Sequence, residues 1–238
     1  MEKLLKTFED LKQKNLSIDL TRGKPHSDQL DLSNDLMTQA VDPIGENGVD
    51  LRNYGEPIGI IEARRLGADI LDSKVDLTIA GEQSSYLLMT QLLLGRSLFG
   101  LDDDPWKDDK EPAFLCAVPG FDRHFATLEG LGLNMHTVNL CSSGIDLDDL
   151  NKKLSKYANI KGLICVPRHS NPSGEVFSDE NITNLLKITK EYNPSFINLF
   201  DHAYLIHDFD ETQPQTPIPV LADGLGALEN AAVFTSFS

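Results

Sequence analysis

The chain has 238 residues, enough for one large domain or two small ones, and its 40% hydrophobic and 24% charged residues are those of an ordinary soluble globular protein. With 21 basic against 37 acidic residues it carries a net charge of -16, which argues against non-specific binding to nucleic acid or an anionic membrane surface. A local phosphate pocket built from backbone N–H groups stays compatible with that charge.

Residues 1–14 read as an amphipathic helix with Leu4, Leu5, Phe8 and Leu11 on one face. Residues 17–53 are rich in Asp, Gly, Pro and Asn and read as an irregular arm. From Pro57 onward the pattern alternates. Pro57 suits the first turn of a helix reaching Leu71. A short strand is expected over 77–80, a long apolar helix over 84–99 and a solvated acidic connection over 102–111. Strand 113–118, helix 122–131 and strand 134–138 follow. Helix 146–157 opens with acidic residues that suit its dipole. Strand 161–166, helix 178–192 capped by Ser178, strand 196–200 and strand 231–235 complete the pattern.

Strands alternating with helices of this length imply βαβ units. The expected fold is α/β, a three-layer αβα sandwich around a mostly parallel sheet. The expected division is a helix and arm over 1–45 and a domain over 46–238. No run approaches the ~20 apolar residues a bilayer span needs, and the start lacks the pattern of a secretory signal. Cys116, Cys141 and Cys165 are odd in number and widely spaced. They are expected as buried free thiols of a reducing compartment, which points to the cytoplasm.

Ligands of open α/β sheets bind beyond the carboxyl ends of the strands, so the polar residues there are the candidates. For a phosphorylated pyridine each would have a role, beside a plainer alternative. Ser84 and Ser85 open a helix, where N–H groups favour phosphate, or they simply cap it. Phe121 could stack on a flat ring or fill the core. Asp201 follows an apolar strand and needs a cationic or donating partner, which a structural ion pair or a protonated ring nitrogen could supply. Asn171-Pro172-Ser173-Gly174 is foremost a turn signature. His124 could orient Asp201 or be an ordinary satisfied histidine. His169, His202 and His207 have no metal-ligand spacing and read as solvated loop residues, and no metal site is expected.

Four stretches carry a resemblance that spans nearly the whole chain. They are Leu20-Thr21-Arg22-Gly23-Lys24-Pro25, Asn53-Tyr54-Gly55, the run from Val118 through Phe125, and the run from Cys165 through Gly174. In their order they resemble the fold-type I pyridoxal-phosphate aminotransferases, closest to a bacterial-type subgroup of aspartate aminotransferases. The resemblance implies the large domain of that fold, pyridoxal 5'-phosphate as cofactor, amino acid and 2-oxo acid substrates, and a homodimer. It implies Gln83, Ser84, Ser85 and Ser236 around the phosphate and Phe121 on the ring. Asn171 and Tyr204 would face the ring 3-oxygen, Asp201 the ring nitrogen, with His124 behind Asp201. Tyr54 would reach the phosphate of the neighbouring subunit, and Gly23 would lie near the substrate carboxylate. The family's Schiff-base lysine is expected directly after Ser236-Phe237-Ser238, where the sequence stops. The chain is therefore expected as a truncated large domain with no catalytic residue of its own. The alternatives are a non-catalytic cofactor-binding half, a partner subunit from a split gene, or a pyridoxal-phosphate lyase.

Overall fold

A computed structural model describes residues 2–18, 24–101, 104–208 and 215–237. They group into two compact units, Met1–Pro43 and Ile44–Ser238.

The first unit begins with helix α1 (Glu2–Gln13), whose Glu2 and Lys12 sit at the ends the helix dipole favours. Its apolar stripe of Leu4, Leu5, Phe8 and Leu11 is exposed. Helix α2 (Ser27–Asp31) and a 3-10 turn over Asn34–Thr38 occupy a stretch expected to be irregular. A capping box explains α2: His26 Nδ1 accepts from the Asp28 N–H at 3.3 Å, and Gln29 Oε1 accepts from the His26 N–H at 2.7 Å.

In the second unit, helix α3 (Ile61–Leu71) starts after Pro57 rather than at it. Gly59 is the reason: its φ is +91°, and a Cβ there would collide with the Ala80 carbonyl. The chain therefore turns before the helix can begin. The strand expected over 77–80 is also absent. Val75–Leu77 is a 3-10 turn, and the buried Arg64 takes up neighbouring acceptors, its Nε on Thr78 O at 2.9 Å and its Nη2 on Val75 O at 2.7 Å. Carbonyls held by a guanidinium are less available to a sheet ladder.

Helix α4 (Ser85–Leu98) leads to strand β1 (Ala113–Val118), helix α5 (Asp122–Gly130) and strand β2 (Asn134–Cys141). Strand β3 (Gly144–Ile145), helix α6 (Leu147–Lys156), strand β4 (Ile160–Cys165) and helix α7 (Asp179–Tyr192) follow. Strand β5 (Ile197–Asp201), helix α8 (Ile218–Gly224) and strand β6 (Ala231–Phe234) complete the described elements. The sheet order is β3-β2-β1-β4-β5-β6, parallel except for β3 against β2.

Neither β3 nor α8 is anticipated by the sequence pattern. Two residues are too short for an alternation signal. β3 is instead held by the buried Asn181, whose side chain accepts from the Ile145 N–H at 2.9 Å and donates to Ile145 O at 2.8 Å. Helix α8 carries a proline in its first turn, where the missing N–H costs nothing.

Alternate residues of the central strands enter opposite layers. Leu115, Leu163 and Phe200 pack with Leu150, Leu185 and Ala222 of α6, α7 and α8. Phe114, Ile164 and Leu199 pack with Met89 and Leu93 of α4 and Leu128 of α5. This period of two places helices on both faces and gives the expected αβα layering. Cys116 and Cys165 are buried as expected, whereas Cys141 is exposed because it ends β2 near the sheet edge.

Gly162 of β4 fits only because it lacks a side chain. A Cβ there would lie 2.5 Å from Phe114 Cζ and closer still to Ile197 O. Gly162→Ala is expected to cost about 1–3 kcal/mol, the usual range for overpacking a core. Urea unfolding measures this, and an unchanged midpoint would show that the β1–β4–β5 packing yields easily.

Candidate active site

The chain order of the sheet reverses between β1 and β4. β1 leads outward to β2 on one side, and β4 leads to β5 and β6 on the other. Carboxyl ends flanking such a point open a crevice. The turn after β1 runs through Pro119, Gly120 and Phe121 into α5 and delivers His124 to its first turn. A Cβ on Gly120 would stand 2.5 Å from Ala117 O and 2.8 Å from Phe125 Cζ, so this tight passage needs glycine.

Asp201 is the last residue of β5, only 6% exposed. His124, 3% exposed, places its Nε2 2.9 Å from Asp201 Oδ2. Asp201 Oδ1 is buried with no hydrogen-bond partner among the described residues. The Phe121 ring stands edge-on to His124, with centroids 5.1 Å apart. Phe121, His124, Gly120, Cys165 and Ser170 border a void of about 10 Å³. Burial, and then the Asp201 charge, push the Cys165 thiol well above the ordinary range. It is a neutral wall, not a nucleophile.

Two turns flank this pair. After β4, the Ser170 N–H donates to Glu175 O at 2.9 Å and the Gly174 N–H to Ser170 O at 2.5 Å, presenting Asn171 between them. After β5, the Leu205 N–H donates to His202 O and the His207 N–H to Tyr204 O, each at 3.1 Å, presenting Tyr204. Gln83, Ser84, Ser85 and Ser236 line a separate, larger cavity of about 1080 Å³ at the start of α4. Ser84 occupies the N-cap position with extended backbone, yet its side chain makes no capping bond. The simple capping role is thus not what the structure shows for Ser84.

The expected residues therefore assemble unevenly. Phe121, His124 and Asp201 form one cluster, and Gln83, Ser84, Ser85 and Ser236 share one cavity. Asn171 and Tyr204 lie on turns after the adjacent strands β4 and β5. Tyr54 is 97% exposed and lines neither cavity. Gly23 lies outside the described residues.

Sequence reasoning assigned no role to Arg168 or Asp208, and its reading of His202 as a solvated loop residue is corrected by the burial of that side chain directly after β5. Arg168 Nε donates to Asp208 Oδ1 at 2.7 Å, and its Nη2 to Asp208 Oδ2. This guanidinium, above all, holds the Asp208 carboxyl below its usual range. His202, 2% exposed, is pushed down to about 4, chiefly by burial and next by Arg168.

His202 sets an acid sensitivity. Between about 4 and its ordinary 6.5, the unfolded chain binds a proton that the folded chain refuses. Stability should therefore rise with pH through that window and fall on acidification, by about 3 kcal/mol in all. Urea midpoints at pH 7 and pH 4 should differ more for the wild type than for His202→Gln. Equal differences would mean that other groups carry the sensitivity.

The model of the aspartate amino-transferase family matches residues 1–238, the whole chain. The chain belongs to the aspartate aminotransferase family. It is 35% identical to an aspartate aminotransferase of Corynebacterium glutamicum, over 100% of this chain and 56% of that protein. A crystal structure of an aspartate transaminase from Corynebacterium glutamicum superposes with TM-score 0.87 at 34% identity, covering 99% of this chain and 56% of the other. A more distant alpha-aminoadipate aminotransferase from Thermus thermophilus, complexed with N-(5'-phosphopyridoxyl)-L-leucine, shares the fold at TM-score 0.62 and 20% identity, covering 79% of this chain and 44% of the other. The chain thus spans about half the length of these relatives. No helix among the described residues is long and apolar enough to cross a membrane.

The family's cofactor can be tested against the residues present. A pyridinium N–H needs a buried acceptor, and Asp201 Oδ1 is one without a partner among the described residues. A phosphate suits the start of a long helix, and α4 begins beside three consecutive polar side chains. On both counts the residues fit.

Proposed function

We propose that a protein carrying this chain is a pyridoxal-phosphate-dependent aminotransferase, moving an amino group from an amino acid, aspartate foremost, to a 2-oxo acid. The observation that carries this reading is Asp201: one oxygen on His124, the other buried and unpartnered among the described residues. An uncompensated buried carboxylate oxygen is costly, so the fold is expected to meet a donor there. When bound, the cofactor supplies an electron sink for charge developing on the substrate's Cα.

The chain's own residues would do the rest. Asp201 would hold the proton on the ring nitrogen, and His124 would fix the carboxylate's direction. Phe121 would offer an apolar face to the ring. Asn171 and Tyr204 would hydrogen-bond the 3-oxygen. Gln83, Ser84, Ser85, Ser236 and the N–H groups opening α4 would hold the phosphate. Gly23 would lend its N–H to the substrate carboxylate. Two copies would associate, with the exposed Tyr54 of each reaching the phosphate of the other, and the protein would work in the cytoplasm.

A fluorescence titration with pyridoxamine 5'-phosphate tests the reading without requiring turnover. Saturable binding, weakened by inorganic phosphate and lost when pyridoxamine replaces its phosphate ester, is expected. No saturable binding, or binding indifferent to the phosphate, would contradict it.

A further inference from the structure

We propose that Asp208 is a positioning residue, whose carboxylate ties the turn carrying Tyr204 to the turn carrying Asn171. The inference rests on the reading above, in which those two side chains face the cofactor's 3-oxygen.

The two turns leave adjacent parallel strands, β4 and β5, but the ladder between them stops at Cys165 and Phe200. Beyond that point a separate device must fix their spacing. At its start the Tyr204 turn is anchored by His202, whose N–H donates to Phe234 O at 2.7 Å. At its far end stands Asp208. Its carboxylate receives the forked guanidinium of Arg168, with Nε at 2.7 Å, and also His169 Nε2 at 2.8 Å. Arg168 and His169 lead directly into Ser170 and Asn171. One carboxylate is thus gripped twice by the residues preceding Asn171, while it directly follows the turn that His207 closes on Tyr204.

Arg168 is 6% exposed and is itself braced. Its Nη1 lies 3.4 Å from Gln215 Oε1, and Gln215 Nε2 donates to Phe177 O at 2.8 Å. His169 holds a φ of +48°, a left-handed conformation that aims its ring at Asp208. A planar guanidinium meeting a carboxylate in two places fixes orientation as well as distance, which a lysine ammonium cannot. The Asp208 side chain is 36% exposed, so replacing it is compatible with a folded chain.

The test compares two ligands on the wild type, Asp208→Asn and Arg168→Lys. One is pyridoxamine 5'-phosphate. The other is its 3-deoxy analogue, which lacks the oxygen that Asn171 and Tyr204 would meet. Asp208→Asn should weaken the first by about tenfold, the worth of a charged hydrogen bond, and leave the second unchanged. Arg168→Lys should fall between, keeping the charge and losing the fork. Equal weakening of both ligands, or no weakening of either, would overturn the proposal.

Amide hydrogen exchange separates this from the functional reading. Asp208→Asn should speed exchange at Leu205 and His207 and also at Ser170 and Gly174. Acceleration confined to Leu205 and His207 would show that the carboxylate does not couple the turns. If the wild type bound neither ligand, the cofactor reading would fall, and the exchange result alone would decide the coupling.

Discussion

In a polypeptide spanning the full length of the relatives, Asp201→Ala should slow amino transfer from aspartate by at least about 100-fold, the scale on which one preorganised electrostatic contact acts. The argument is electrostatic. The carboxylate sits at a strand end with 6% exposure, away from bulk screening. One oxygen is fixed by His124 at 2.9 Å, so the other can hold a donor without reorganising. Removing it leaves a ring nitrogen without its counter-charge and His124 without its acceptor. The alternative role is a plain His–Asp structural pair. That role predicts a lowered melting temperature with normal turnover per folded molecule. Single-turnover transfer measured beside a melting curve separates the two, and near-normal transfer in the folded variant would mean that Asp201 does not face the ring nitrogen.

The second large effect is on stability. Phe200 has no exposed surface and packs against the layer formed by α6, α7 and α8. Phe200→Ala should cost about 3–5 kcal/mol, combining lost burial with a cavity the rigid sheet cannot close. That is a large fraction of the 5–15 kcal/mol typical of a folded domain. A urea midpoint that moves by less than the equivalent of about 1 kcal/mol would show that neighbouring chains collapse into the gap. Because Phe200 immediately precedes Asp201, the variant should also loosen cofactor binding, whereas Gly162→Ala acts farther from the strand's carboxyl end.

Strand β1 was legible because it is buried on both faces and reads as an unbroken apolar run, Ala113–Val118, and β4 departs from that pattern chiefly at Lys161. Asp201 stood out for the same reason, as a carboxylate that ends such a run. The stretch 77–80 reads equally well as a strand, since its pattern cannot reveal a guanidinium arriving from Arg64 to take the carbonyl of Thr78 and that of the nearby Val75. Pro57 misleads because a proline suits a helix start in general, while the close pass of Gly59 against Ala80 is a tertiary fact. β3 depends on Asn181, 36 residues away from Ile145. Of the site, the cluster of Phe121, His124 and Asp201 was readable from strand ends and motif order. The grip on Asp208 was not, because its partner Arg168 lies 40 residues earlier and nothing local links them.

The central claim, that Asp201 faces a protonated pyridine nitrogen, is tested most directly by nitrogen NMR of pyridoxamine 5'-phosphate labelled at the ring nitrogen and bound to the chain. The bound ring should keep the chemical shift of a pyridinium to higher pH than the free ligand, and should lose that difference in Asp201→Ala. A bound ring that titrates like the free ligand in the wild-type chain would contradict the account.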